Sequence, residues 1–233
     1  MDMRVFAKSP ATDIETYKAS MCYELAGKDF DFSMDGGEKL SLSFAAFPSR
    51  EVRIGGSERG LEYYCGKISA KVLFISCAMK EACASYVLDL DSGLITRALT
   101  DMSGKTDVAF GAAGSAKERH GFTGDIDGNT VHWSLGPMDE STFKAVYDSG
   151  NVAVTRPRTG DAPVSGPSAY LAVKITKNIF FQNAALQVDG ELKVVSLLTS
   201  FWNQTCVGSI YEISAGKGAG CRLISGYGRF VSE

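Results

Sequence analysis

Apolar and polar residues alternate in short runs along most of this chain. A period of two places successive side chains on opposite faces of an extended segment, so the alternation predicts β-strands that are buried on one face. Residues 27–34 show this pattern, and residues 39–44 return with the same alternation after Asp35-Gly36-Gly37, a sequence typical of a hairpin turn. We therefore predict the first hairpin at 27–44.

The stretch from Tyr63 to Thr96 carries the most extended strand pattern. It consists of short runs rich in β-branched and aromatic residues, separated by polar turns, as in an antiparallel meander. With the preceding hairpin, these runs give the first part of the chain about eight predicted strands. The runs after the hairpin lie near 51–54, 61–68, 71–77, 83–90, 94–101 and 107–110.

A second copy of the pattern begins near residue 128. Residues 128–135 align with 27–34 without a gap, and residues 174–181 align with 67–74, because both octets begin Lys-Ile-(Ser/Thr) and end in bulky apolar residues. A repeat of roughly 100 residues is too long for a solenoid unit and indicates an internal duplication. Further strands are predicted near 142–147, 152–155, 184–188, 191–200, 204–213 and 221–230, with a loop at 156–168 that holds three of the six prolines.

Frequent short strands with hardly any helical periodicity predict an all-β fold, either a sandwich or a barrel. Eight alternating strands can close on themselves, with side chains or one small ligand in the interior. We expect two tandem antiparallel β-barrels related by duplication, and one larger merged barrel is the alternative. The expected division is an N-terminal extension at 1–21 with a short helix near 12–20, a first half at 22–110, a linker at 111–119 and a second half at 120–233.

Three segments resemble the molybdenum cofactor biosynthesis protein F family. Leu25–Phe32 with the following Asp35-Gly36-Gly37, and the run Tyr64–Thr96, resemble the N-terminal domain of that family, and Tyr170–Phe181 resembles its C-terminal domain. The resemblance implies two related lipocalin-like (calycin) barrels, binding of a small organic molecule and a link to molybdopterin metabolism. The family typically has an aromatic-Arg-Glu-Lys stretch after the Phe-rich strand, where this chain reads Gln182-Asn183-Ala184-Ala185-Leu186. Any activity that those charged groups support is therefore not carried over.

Composition narrows the classes of function. The formal net charge is −3 and the pI is near 5.5, so no basic surface is expected to neutralise phosphates, and we expect no nucleic-acid partner. No apolar run approaches the length of a membrane span, and residues 1–10 lack the apolar core of a signal peptide. We therefore expect a cytoplasmic protein with no membrane partner, whose six cysteines are reduced thiols.

Motifs for nucleophilic or metal chemistry are weak in this sequence. A Ser-His-Asp arrangement would have to use His120 or His132, the two histidines, and no Gly-x-Ser-x-Gly elbow occurs. The cysteines contain no Cys-x-x-Cys pair, so we expect no zinc site, no other metal and no cofactor. Cys77 and Cys83 flank a turn, and a redox pair there is the less favoured alternative to two buried apolar thiols.

Aromatic and lysine side chains in the strands form the candidate ligand-binding set. Barrel pockets combine an apolar lining with a few hydrogen-bonding groups, and Tyr and Trp provide both in one side chain. A buried Tyr or Lys with a shifted pKa could also act as an acid or a base. The alternative for each residue is that it only fills a barrel or covers a rim. The candidates are Tyr64, Lys67, Tyr86, Trp133, Tyr170, Lys174 and Trp202.

Three functions fit these patterns. The first is binding of a small, partly apolar metabolite inside a barrel. The second is a cofactor-free isomerase, lyase or cyclase that uses Tyr or Lys as acid and base in an enclosed site. The third is a structural or interaction protein whose barrels are filled. The expected partner is a small organic ligand, and the sequence leaves formation of a homo-oligomer open.

Overall fold

The structure is a computed structural model. It describes residues 22–79, 81–135, 142–156, 162–188, 190–214 and 218–231. The N-terminal extension at 1–21, with its predicted short helix, lies outside the described residues.

The regular secondary structure of the described residues consists almost entirely of antiparallel strands. A 3₁₀ turn at Asp35–Gly37 joins the first two strands, where Gly36 and Gly37 both take the positive φ that favours glycine. In chain order the strands are β1 (Asp29–Met34), β2 (Lys39–Phe44), β3 (Glu51–Ile54), β4 (Leu61–Lys67), β5 (Val72–Ala78), β6 (Ala82–Asp89), β7 (Leu94–Asp101), β8 (Thr106–Ala112), β9 (Gly121–Phe122), β10 (Thr130–Ser134), β11 (Thr142–Asp148), β12 (Asn151–Arg156), β13 (Ala162–Lys174), β14 (Ile179–Val188), β15 (Glu191–Ser200), β16 (Thr205–Ser214) and β17 (Gly218–Val231).

Strands β1 to β8 form the first closed barrel, each pairing with the next in the chain. The barrel closes where β1 pairs with β8, with Ser33 opposite Ala112. In the second half β10 to β17 close in the same way, through pairing of β10 with β17 and of β12 with β13. The short strand β9 adds to the end of β13. The prediction of two tandem barrels is thus confirmed, and the strands of the described residues do not form one merged barrel.

The two barrels repeat each other in register. Phe30 pairs with Leu42 in the first barrel, and Val131, its aligned counterpart, pairs with Ala145 in the second. The aligned octets 67–74 and 174–181 both contain the turn between the fourth and fifth strands of their barrel. Pairs related by these registers are called equivalent residues below.

One predicted loop is wrong in extent. The prolines of segment 156–168 predict a loop, but β13 begins at Ala162 and pairs with β12. The pairing is irregular there, with register shifts on either side of Val154, and Pro163 lies opposite Thr155. Proline has no backbone N–H to donate to the neighbouring strand. An irregular pairing tolerates this because it contains no continuous ladder of hydrogen bonds for the proline to interrupt. The separate strand expected near 184–188 is the end of the longer strand β14.

The barrels pack against each other through the outer faces of their central strands. Strand β5 is buried on both faces because alternate residues face the first interior and the second barrel. Phe74 of β5 stacks on Phe181 of β14, its equivalent, with ring centroids 6.4 Å apart. Gly66 lies against Val207 so closely that a Cβ at residue 66 would overlap the valine. The interface is therefore an apolar core of its own.

Hydrogen bonds across this interface are reciprocal. Ser76 Oγ lies 3.2 Å from Cys221 Sγ, and the equivalent contact joins Thr106 Oγ1 as donor to Asn183 Oδ1 at 2.8 Å. Tyr211 Oη lies 2.8 Å from Ser76 Oγ and also bonds to backbone carbonyls of the first barrel. Matching patches on two repeats that contact each other reciprocally form an isologous arrangement.

Candidate functional site

A cavity of about 320 Å³ lies inside the second barrel. That volume is at the lower end of the range of roughly 300–1,000 Å³ that ligand pockets occupy. It extends from the closed part of the barrel towards the end where β12 finishes and β15 and β17 begin, which is called the mouth below. The apolar wall includes Val152, Val154, Ala184, Leu186, Val195 and Ile224.

Smaller residues in the second barrel provide the space. Leu42 of the first barrel is equivalent to the smaller Ala145 of the second. Tyr86 of the first barrel is equivalent to the smaller Leu197 of the second. Leu42 and Tyr86 are almost fully buried in the first core, whereas Ala145 and Leu197 line the cavity. The same strand architecture therefore carries larger side chains at these two positions of the first barrel and leaves room for a ligand beside their equivalents in the second.

Two tyrosines form the polar part of the closed region. The rings of Tyr147 and Tyr170 meet edge to face with centroids 4.9 Å apart. Tyr170 Oη donates to Asp127 Oδ1 at 2.7 Å, and the indole of Trp133 lies beside the hydroxyl of Tyr147. Burial raises the pKa of Tyr147, and burial together with the bond to Asp127 raises the pKa of Tyr170. Both phenols therefore stay neutral at pH 7 and act as hydrogen-bonding groups.

Gln182 contributes an unsatisfied acceptor to the same cavity. Its side chain is 4% exposed, and its Nε2 donates to Thr199 Oγ1 at 3.4 Å. Its Oε1 is buried and has no hydrogen-bond partner. The equivalent residue in the first barrel is the apolar Ile75, so the polar group is specific to the cavity. A buried acceptor without a partner is costly unless a ligand or a water molecule satisfies it.

Three basic side chains line the mouth: Arg156, Lys193 and Arg222. Lys193 Nζ lies 3.8 Å from Glu191 and 3.5 Å from Glu212, so two carboxylates share this lysine. Of the described residues that line the cavity, none is acidic.

The basic residues at the mouth are not a general feature of the fold. The first barrel has Ala82 in the place of Lys193 and Asp107 in the place of Arg222. The positive charge is thus found at the mouth of the barrel that has the cavity. Glu191 and Glu212 offset part of that charge, and the remaining charge favours a negatively charged group there.

The structure brings two of the seven predicted site residues to the cavity. Trp133 and Tyr170 line it, as described above. Tyr86 lies inside the first barrel, where burial raises its pKa. Trp202 is 54% exposed in the turn between β15 and β16. Binding of a ligand by these residues stays a prediction.

The other three predicted residues lie outside both interiors. Lys67 forms an ion pair with Glu24, and Lys174 forms the equivalent pair with Asp125 at 2.6 Å. Tyr64 is on the outer face of β4, with the guanidinium carbon of Arg50 6.0 Å from its ring centroid. The sequence repeat correctly aligned the two lysines, but the aligned feature is a surface ion pair.

Sequence reasoning missed Tyr147, Gln182 and the basic residues at the mouth. A signal for Gln182 was present, because it follows Phe180 by two residues and so shares the inward face of an otherwise apolar strand. The register between strands, which decides what lies next to it, could not be obtained from the pattern alone.

The cysteines and histidines do not form a catalytic cluster in the described part of the chain. Cys77 points into the first barrel and Cys83 into the interface, on opposite faces of the sheet, so the proposed redox pair cannot close. All six cysteines are free. No group of three or more His, Cys, Asp or Glu side chains suitable for a metal ion occurs among the described residues.

Comparison with protein-family models and with curated protein sequences finds no match for this chain. Within the described ranges, no helix has the length and apolar character needed to cross a membrane.

Proposed function

We propose that this protein binds a small, partly apolar metabolite in the cavity of its second barrel. The observation that carries the proposal is the contrast between the two barrels. At equivalent positions the first is filled by Leu42 and Tyr86, whereas the second leaves a cavity of about 320 Å³ beside Ala145 and Leu197. A cavity of this volume loses packing contacts, so keeping it empty would cost stability without a benefit.

The chemistry of the lining supports a ligand with an apolar body and few polar groups. Aliphatic side chains together with Phe143 and Trp133 form most of the wall, and Tyr147, Tyr170 and Gln182 provide hydrogen-bonding groups. This combination of apolar wall and few polar groups is typical of small-molecule sites. The two tyrosine rings offer an edge and a face against which a flat ring could pack.

Two further elements belong to the proposal. The resemblance to the molybdenum cofactor biosynthesis protein F family supports a lipocalin-like (calycin) binding protein, and membership of that family is itself proposed. The free state of all six cysteines supports a cytoplasmic location. The lysines invoked for an enzymatic alternative, Lys67 and Lys174, lie in surface ion pairs, so binding is the function that we favour.

Ligand binding can be tested with Trp133 as a reporter. The chain has two tryptophans, so Trp202→Phe leaves only the one that lines the cavity. Native mass spectrometry of protein purified from its own host identifies retained small molecules, and titration with a recovered molecule should change the Trp133 emission. Ala145→Leu introduces the leucine that stands at the equivalent position, Leu42, of the first barrel. It should weaken binding by at least about tenfold because the larger side chain occupies part of the cavity.

Ala153→Leu is the matched control, since Ala153 lies on the same barrel with opposite strand parity and faces away from the cavity. It should leave the affinity unchanged. The proposal is wrong if no small molecule is retained and Trp133 emission responds to no tested apolar ligand. It is equally wrong if Ala145→Leu binds a recovered molecule as tightly as the unsubstituted protein.

A further inference from the structure

We propose that the cavity takes an organic anion in one orientation. The acidic group lies at the mouth beside Arg156, Lys193 and Arg222, and a hydrogen-bond donor of the ligand reaches Gln182 inside. This inference rests on the proposed function, because it specifies the chemical class of the ligand that the cavity binds.

The charge at the mouth carries the first half of the inference. Three basic side chains line the cavity there, and none of its described lining residues is acidic. Glu191 and Glu212 both approach Lys193, at distances longer than a hydrogen bond. Guanidinium groups bind oxyanions through paired N–H donors, so Arg156 and Arg222 suit an acidic group at the entrance.

The buried amide of Gln182 carries the second half. Its Nε2 is already directed to Thr199, so Oε1 is the atom that remains for a ligand. An acceptor that is this deeply buried calls for a donor, such as a hydroxyl or an N–H group. An anionic group at this position would be repelled, because a carbonyl oxygen presents negative charge.

The cavity therefore has two polar ends with an apolar wall between them. The mouth favours an anionic group, and the inner end at Gln182 favours a hydrogen-bond donor. Val154, Val195 and Leu197 lie along the intervening wall. A ligand that fits has an apolar or ring-containing body with a donor at one end and an oxyanion at the other. The reversed orientation would place the anion beside the Gln182 acceptor and far from the basic residues at the mouth.

Two fluorescent probes separate this inference from cavity binding in general. 6-(p-Toluidino)naphthalene-2-sulfonate and N-(p-tolyl)-2-naphthylamine share the same ring system and the same N–H donor, and only the first carries an anionic group, at the opposite end of the naphthalene from the N–H. We expect the unsubstituted protein to bind both probes, the anionic one more tightly and with an affinity that falls as salt is added. Ala145→Leu should weaken both.

Charge variants decide the orientation. Arg156→Gln and Arg222→Gln should each weaken the anionic probe by up to about tenfold, since a charge-assisted hydrogen bond is lost, and change the neutral probe by less than about twofold. Arg229→Gln is the control, because Arg229 lies on the same strand as Arg222 and faces the outside of the barrel. Arg222 is exposed, so its substitution tests the charge even if Arg156→Gln fails to fold.

The amide is tested in the same assay. Gln182→Leu removes the acceptor and keeps the volume, so it should weaken both probes by a similar factor. The inference is overturned if the arginine variants affect the two probes equally, or if the neutral probe binds more tightly than the anionic one. In those cases cavity binding, and with it the proposed function, would still stand, whereas failure of both probes to bind would count against both.

Discussion

At the scale of single residues, protonation of the buried His120 links the stability of the fold to pH. It precedes β9 and is 4% exposed, and its Nδ1 lies 2.8 Å from Thr96 Oγ1 of the first barrel. Its Nε2 is buried without a hydrogen-bond partner. Burial lowers the pKa of His120 to about 4, although Asp89 nearby acts in the opposite direction. The folded protein therefore holds this imidazole neutral.

This burial predicts a loss of stability in mild acid. The unfolded chain binds a proton on His120 below a pKa of about 6.5, whereas the folded protein does so only near 4. The stabilisation is thus complete above pH 6.5 and is lost as the pH falls towards 4. Between pH 7 and pH 5 the free energy of unfolding should fall by about 2 kcal/mol through this residue.

Urea unfolding of His120→Asn at the two pH values measures this effect. The variant should lose most of that pH-dependent change, because asparagine does not titrate. His132→Asn removes the other histidine in the same way and serves as the comparison. Equal pH dependence in His120→Asn and the unsubstituted protein would contradict the prediction.

At the scale of elements, strand β4 shows how closely the two barrels approach. Gly66 faces Val207 of β16, and a Cβ there would overlap the valine side chain. Gly66→Ala should therefore lower the free energy of unfolding by about 1–3 kcal/mol, because the side chain or the barrels must shift. Chemical denaturation measures the loss.

Gly121→Ala is the matched control for that substitution. A Cβ at Gly121 would have no atom within 4 Å, and its backbone does not need a positive φ. It should change stability by no more than about 0.5 kcal/mol. If Gly66→Ala is as stable as this control, the barrels do not pack as closely as the structure shows.

The same scale separates what the sequence could predict from what it could not. Alternation located the strands of the first half to within a few residues, because each buries one face. It failed at 156–168, where proline chemistry is compatible with the irregular pairing of β12 and β13. It also could not show that both faces of β5 are buried, because that depends on the second barrel. The cavity depends on small differences in side-chain size, such as Ala145 in the place of Leu42, which no strand pattern records.

At the scale of the whole molecule, the two barrels share one interface built from equivalent residues. The pair Phe74 and Phe181 and the reciprocal bonds of Ser76 and Asn183 show that each barrel presents corresponding positions to the other. Apolar residues from both barrels form a buried cluster between them. Because this cluster exists only when both barrels are folded, we expect them to unfold together.

Tyr211→Phe tests this coupling. The hydroxyl of Tyr211 bonds to Ser76 and to the carbonyls of Cys77 and Ala84, all in the first barrel. Its removal should lower the free energy of unfolding by about 1–3 kcal/mol, since buried partners lose a hydrogen bond. Fluorescence of Trp133 in a Trp202→Phe background reports on the second barrel. Labelling of the buried thiol of Cys65, distinguished from the other five cysteines by peptide mass spectrometry, reports on the first. Both signals should shift by the same amount and stay coincident in denaturant, because the substitution weakens a contact that both barrels share. Separate midpoints for Cys65 and Trp133, or a shift of one signal alone, would show instead that the barrels are stable independently and that the interface contributes little to either.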